Sequence, residues 1–534
     1  MKTATAGTIL LLLFTCISAA ESAAQVKMSE KAENSGIRFT TDFESGSLDS
    51  VELKKAAMVS SQMQKPEILF EFDIYSRLDP ANPADPKLAP SGRWFYFKME
   101  RVKDKQITLN FHNTDPKRPY YSYDGENFTR FSPEEAPEYG KITKRFEHDT
   151  VYIAYFPPYT VSYLNSRIDQ WSRRGCVKVE SIGKSEHGRQ MPLLTVTEPN
   201  PDLPDNKKHV VYIHGRIHTS ETPASWHLDK LIDLITGDSG YAEDLRKNIV
   251  FYILPFTNPD GVAEGMSRSN GEGINLEVNW ANADSVTAQE TKNIRAFLES
   301  ITKKGKGIDI ALNMHSQSSD FVTYWIHTAE STSDEYYKNL MLFANLTING
   351  NPHFYKDDLS FSSVAPRYVE GWLWERCNGK ALATTFETPY TFYNRNKEGE
   401  WVTIENLQQM AENNLYAIGD YLQIKSPERL VTGSPCKKGG FAKARDYGHF
   451  YFGKNYLVAR KEGAKAVFRI KDLPAGKYGV YSWKVGKNER ISGDGENEWQ
   501  RIDSIVQSRD GAFKYVYHST SAGEKLDNLL FIKE

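Results

Sequence analysis

Cysteine is scarce in this chain: four occur in 534 residues, and Cys16 lies in the first apolar stretch. Cys176, Cys377 and Cys436 are scattered, which excludes a disulfide framework and the paired spacing of a zinc knuckle. No bridge is expected among them. An excess of one charge is also missing. Lys and Arg number 66 against 69 Asp and Glu, so there is no general electrostatic case for nucleic acid as a partner. Beyond the N-terminus no apolar run reaches the ~20 residues of a membrane-spanning helix. No convincing repeat or low-complexity tract occurs. Aromatic residues, in contrast, are plentiful (29 Tyr, 27 Phe, 10 Trp), which speaks against extensive disorder.

The N-terminus, "MKTATAGTILLLLFTCISAAESAAQ", reads as a secretory signal. Lys2 supplies the charge, Ile9 to Phe14 the apolar centre, and Ser18-Ala19-Ala20 a small-residue cleavage site. The expectation is a signal peptide over residues 1–24 and a secreted or periplasmic protein. Lipid attachment at Cys16 is disfavoured by the bulky Phe14 and Thr15 before it.

The remaining length suits two to four domains. Residues 36–160 are strand-like, with "RWFYFKME", "QITLNFHN" and "DTVYIAYFPPY" separated by Pro, Gly, Asn and Asp, and they read as an N-terminal β-sandwich. From 161 to 424 helical stretches alternate with the apolar strands "HVVYIHG", "IVFYILPF", "IDIALNMHS" and "ALATTFET". That alternation predicts an α/β catalytic domain, a mixed and mostly parallel sheet with helices on both faces. Residues 437–534 turn β-rich again and read as a C-terminal β-sandwich.

Chemistry concentrates at the strand ends of the middle region, where open α/β sheets place their ligand crevices. "VVYIHGRIHTSETPASWH" carries His214, His218 and Glu221 between a strand and a helix. Thr222 is expected to cap that helix and Pro223 to open it. His218-x-x-Glu221 offers an imidazole and a carboxylate, ligands that zinc accepts, but two groups at this spacing also fit a surface His beside a capping Glu. His214 competes with them, and His227 reads as packing. "IALNMHSQSS" puts His315 at a second strand end, "ALATTFETPY" puts Glu387 at a third, and Arg268 follows a fourth in "NPDGVAEGMSRSN".

In this order the segments resemble those of the zinc metallocarboxypeptidase family, and within it the cytosolic-carboxypeptidase-like branch, which includes deglutamylating enzymes. "DFESGSL", "RWFYFKME" and "YIAYFPPYTVSYL" resemble the β-domain that precedes the catalytic domain there; the likeness covers roughly residues 37–424. It implies one Zn2+ per chain held by His218, Glu221 and His315, Glu387 as the general base for the attacking water, and Arg268 as the group that neutralises the oxyanion. It implies a peptide or modified peptide as substrate.

The chain departs from the family at one place. An Asn-Arg pair that grips the substrate's terminal carboxylate is expected where "GINLEVNW" puts Glu277-Val278. Valine cannot donate, and ionised Glu277 repels a carboxylate. Three readings follow: another cation, Arg216 or Arg367, captures the carboxylate; the enzyme is an amidase or endopeptidase on cell-wall or modified peptides, with Glu277 facing a substrate amine; or the domain is a non-catalytic peptide- or glycan-binding module. Tyr368 and Tyr390 are candidates for a substrate-capping tyrosine, and Trp372 and Trp374 for pocket lining or core. Trp483 or Trp499 gives the C-terminal region a candidate carbohydrate contact, against the plainer role of bracing the catalytic domain.

Overall fold

The computed structural model describes residues 25–59, 67–304, 307–393, 400–486 and 498–534. The expected signal segment, residues 1–24, lies outside them. No helix among the described residues is long and apolar enough to cross a membrane.

An eight-stranded mixed sheet organises the middle of the chain. Its centre is four parallel strands in the order Ile249–Leu254, His209–Gly215, Ile310–Gln317 and Leu382–Pro389. These are the four apolar runs named above, buried on both faces as parallel strands are. The antiparallel pair Val177–Lys184 and Gln190–Val196 extends one edge, and Thr323–His327 with Ser360–Ser362 extends the other.

Side chains alternate between two cores with the period of a pleated strand. Val211 and Ile213 join the core under the helices Thr222–Thr236 and Ile404–Tyr421, whereas Tyr212 joins the opposite core with Leu298, Trp280 and Trp372. Trp372 packs 5.8 Å from Trp280, and Trp374 packs 4.7 Å from Tyr336. Both tryptophans therefore belong to packing, not to a substrate pocket. His227 is also core, with Nδ1 on the Leu407 carbonyl at 2.9 Å.

The helix after the first motif starts one residue earlier than expected. Glu221 occupies the N-cap, Pro223 sits in the first turn, and the Thr222 hydroxyl is buried without a partner. The Glu221 carboxylate is engaged by His218, His315 and Ser316 N, so no side chain caps the helix.

Before this unit, two five-stranded sheets close on one core that includes Phe39, Phe72, Phe97, Ile107 and Val151. The Phe39 and Phe72 rings, one from each sheet, meet at 5.2 Å. After it, three small sheets surround Phe468, Tyr478, Val480 and Phe531. Trp483 and Trp499 are buried there, 5.3 Å apart and against Phe452, so neither offers a platform to a sugar. Cys176, Cys377 and Cys436 are free thiols.

Candidate metal centre and active site

Strands Ile310–Gln317 and Leu382–Pro389 run in register, with His315 opposite Glu387. The strand His209–Gly215 lies on the other side of the first and delivers its loop to the same end. That loop turns sharply: Arg216 has a left-handed backbone (φ 56°), and its guanidinium donates to the carbonyl oxygens of Thr219 and Tyr159 and to Ser225 Oγ. Arg216 is thus a buried clasp that shapes the loop, and its donors are already spent. Arg367, the other proposed carboxylate anchor, is exposed and donates to the Tyr368 hydroxyl at 2.7 Å. Arg216 is therefore committed to the loop, whereas Arg367 lies at the surface beside Tyr368.

Three side chains converge in the loop. Nδ1 of His218 lies 2.9 Å from Oε1 of Glu221, and Nδ1 of His315 lies 2.8 Å from Oε2. The three donor atoms fall within 4.8 Å of one another, and all three residues are buried. The far nitrogens have neighbours as well. Asn275 Oδ1 is 3.2 Å from Nε2 of His218, and Glu277 Oε2 is 3.1 Å from Nε2 of His315. A ring that gives its Nε2 proton to such an acceptor keeps the Nδ1 lone pair facing inward, the arrangement of a metal-ligating histidine. Arg268 Nη2 is 3.0 Å from the same His218 nitrogen, so the ring's tautomer decides which neighbour it serves. Two imidazoles and a carboxylate fit zinc, which takes such N and O donors and keeps a position open in catalytic sites. His214 stays outside the group, bonded to the Tyr212 hydroxyl (3.0 Å) and Asn313 Oδ1 (2.9 Å).

The electrostatics of the two rings differ without the metal. Burial and the Arg268 charge push His218 down to about 4, which keeps it neutral and able to ligate. Burial opposes charge on His315 too, but Glu277 and Glu221 hold it well above its ordinary range. Burial alone would raise Glu221, yet the two imidazoles hold it well below the usual carboxylate range. A second cluster, His187, Asp260 and Glu264, is different: Arg189 already pairs with both carboxylates at 2.8 and 2.9 Å.

Around the centre stand groups able to act on a substrate. Glu387 Oε1 accepts from Trp325 Nε1 at 3.3 Å, while its Oε2 is buried without a partner. Burial lifts this carboxyl to about 7. Arg268 Nη1 is 3.6 Å from Glu221 Oε1. Asn313 Nδ2 reaches Glu277 Oε2 at 3.5 Å and Glu370 Oε1 at 3.1 Å, so two carboxylates share one amide beside the centre. Tyr390 Oη is buried near the Ser220 hydroxyl, and neither makes a well-formed hydrogen bond.

Sequence reasoning missed Asn275 as a partner of His218, although it sits two residues before Glu277. It also missed the reach of the N-terminal region. Asp79, buried in a Pro-rich loop of that region, accepts from the backbone N–H of Ser267 (2.7 Å), Arg268 (2.7 Å) and Ser269 (3.0 Å). Trp94 N donates to Ser267 Oγ at 2.9 Å. No local pattern could have found contacts between residues 188 positions apart.

Sheet and centre together define an α/β scaffold with a candidate metal site at its strand ends. Comparison with known proteins carries this further. Residues 168–415 match the zinc carboxypeptidase family, and residues 39–156 match the cytosolic carboxypeptidase N-terminal domain. Mouse (Mus musculus) cytosolic carboxypeptidase 6 is 25% identical over 360 residues, covering 63% of this chain and 63% of its own length. The human (Homo sapiens) protein of the same name is 25% identical over 358 residues, covering 62% and 67%. The chain thus spans about two thirds of these relatives. The metallo-carboxypeptidase of Burkholderia cenocepacia shares the fold with a TM-score of 0.59 at 20% identity, over 72% of this chain and 99% of its own. That of Pseudomonas aeruginosa does so at 0.58 and 19%, over 71% and 98%. The chain carries a zinc carboxypeptidase domain and a cytosolic carboxypeptidase N-terminal domain, and its His218, Glu221 and His315 could hold the zinc of that family.

The same comparisons correct the expectation of a secreted or periplasmic protein. The relatives are named cytosolic carboxypeptidases, and the domain at 39–156 is of their kind.

Proposed function

We propose that the protein hydrolyses an amide bond of a peptide substrate, with His218, Glu221 and His315 holding the zinc. The observation that carries this reading is the convergence of both Nδ1 atoms on the two oxygens of Glu221. Zinc there supplies Lewis acidity toward a carbonyl group and toward water. Glu387 presents its unpartnered Oε2 as the base that takes a proton from the attacking water and returns it to the leaving amine. Arg268, held beside Glu221, brings positive charge to the developing oxyanion. We read the flanks at 36–160 and 437–534 as β-sandwich domains around the catalytic unit at 161–424. The shared Phe39–Phe72 core supports this for the first of them.

Metal analysis and a mass-spectrometric product screen on peptides test the reading together. His315→Ala should lose bound zinc and activity. Glu387→Gln should keep zinc and lose about 10²–10⁴-fold in turnover, because an amide cannot take the proton. Stoichiometric zinc in active His315→Ala, or near-normal turnover of Glu387→Gln, would overturn it.

A second reading concerns selectivity. Glu277, with Glu370 close behind, makes the pocket beside His315 anionic where a terminal carboxylate is expected to bind. An amidase or endopeptidase activity, with an amine or an uncharged group in that pocket, suits this charge better. C-terminal amides and free-acid peptides run side by side separate the two. Release of single residues from free acids only, unchanged in Glu277→Ala, would exclude the altered selectivity.

A further inference from the structure

The cations around the centre are nearly all committed. Arg216 serves three oxygen acceptors, and Arg268 lies against His218 and Glu221. Arg130 donates to the carbonyl oxygens of Tyr390 and Val402, and Lys117 pairs with Asp320 at 2.9 Å. Arg93 differs. It comes from the N-terminal region, is partly buried, and stands 5.6 Å from the Tyr390 ring. Tyr155 packs on the same ring at 5.2 Å. No carboxylate lies within ion-pair distance of Arg93 among the described residues. Both tyrosines are neutral near pH 7, so the guanidinium has the Tyr390 hydroxyl as a hydrogen-bond partner but no charged group directly against it. Glu221, the acidic group whose field reaches it, is engaged by the two imidazoles.

Its position is fixed. Ser76 Oγ donates to the carbonyl oxygens of Gly92 and Trp94 on either side, and Trp94 N is tied to Ser267 Oγ. The Tyr390 hydroxyl lies between Arg93 and the Ser220 hydroxyl, and neither hydroxyl makes a well-formed hydrogen bond. A fixed guanidinium with no ion-pair partner, beside weakly bonded hydroxyls, is a receptor for a carboxylate, which arginine binds with two parallel donors. We infer that Arg93 binds an anionic group of the peptide substrate, an acidic side chain or a carboxylate, on the Tyr390 side of the centre. This rests on the hydrolase reading above. Together with Glu277 it gives the cleft two poles. One, at Arg93, draws an anion; the other, beside His315 Nε2, repels one.

Charge-matched peptides test it. Sets of synthetic peptides carry Glu, Gln or Lys at each position flanking the scissile amide. With Arg93→Gln, KM for the best Glu peptide should rise about 10–100-fold with kcat nearly unchanged, the effect of losing one charge-assisted contact. KM for the matching Gln peptide should stay put, and Arg93→Lys should recover part of the loss. Equal losses on the Glu and Gln peptides would assign Arg93 to packing and overturn the inference, as would no change on either. Calorimetric binding of the same pair to zinc-loaded Glu387→Gln protein, with and without Arg93→Gln, reads the contact independently of turnover. If wild type cleaves nothing, the hydrolase reading fails by itself. A Glu-over-Gln binding preference that vanishes with Arg93→Gln would still uphold the anion site, and equal affinities would sink it.

Discussion

The two β-rich flanks touch the catalytic unit in different ways. The N-terminal flank meets it at the strand ends. Asp79 and Trp94 grip the segment around Arg268, Ser45 bonds the backbone at Val262 and Ala263, and Arg130 reaches the Tyr390 carbonyl. The C-terminal flank meets it on the helical side. Trp499 Nε1 (3.0 Å) and Arg429 Nη2 (2.6 Å) both bind Asp420, at the end of the helix Ile404–Tyr421. Phe450, Phe452 and Trp483 continue the core beneath the helix Asp334–Ile348. One flank helps to build the site, and the other holds the scaffold. Sequence position alone would have treated them as equivalent.

The sharpest way to break this contrast is Asp79→Ala. It removes three acceptor contacts from the Arg268 segment and should lower kcat about 10–100-fold through misplacement of that side chain, since roughly 1 Å of misplacement can cost 10²-fold. Zinc content, measured in parallel, should stay stoichiometric. Normal kcat in a folded variant would make the N-terminal flank a mere support. Next in size is Trp499→Ala, which empties a buried site and strands one Asp420 contact. It should cost about 3–5 kcal/mol of stability in denaturant titrations. At a temperature where it stays folded, kcat should lie within about twofold of wild type, because the lost contacts are remote from the centre. A large loss of kcat there would erase the distinction between the flanks.

The smallest effect concerns Asp527 of the C-terminal flank. Burial lifts its carboxyl to about 7, with Phe452 N donating to it at 2.6 Å and the buried Lys338 as the nearby cation. The unfolded value is the ordinary 3.8. A group raised on folding stabilises the native state fully below its unfolded pKa, and that contribution fades as pH rises through its folded one. Stability should therefore fall between about pH 4 and pH 7 and then level off as far as Asp527 is concerned. Asp527→Asn should flatten that slope in thermal scans; an unchanged slope would show that other groups set it.

Much of the centre was legible because each motif is contiguous. A strand end followed by His-x-x-Glu, "NMHS" and "TTFET" all declare themselves locally, and parallel strands bring their ends together. The four central strands were legible for the same reason. The edge strand Val177–Lys184 was not, since its mixed polar pattern marks no face. The helix Asp334–Ile348 is apolar almost all round, as a helix inside a core must be, so no stripe announced it. Arg216 was misjudged because a buried arginine that satisfies carbonyl oxygens reads like any basic loop residue. Arg93 and Asp79 were invisible, since their importance arises only when a separate sheet pair docks.

The grip of Asp79 on Arg268 joins residues 189 positions apart. Such a contact forms late, after the loops between its ends have closed. On refolding, helical signal should return before peptidase activity, with the lag set by docking of the N-terminal flank. A chain still being assembled would then hold its ligands near one another while the arginine beside them stayed unplaced. On that order of events the docked domain would act as a timer as well as a wall, since the arginine beside the ligands is placed last.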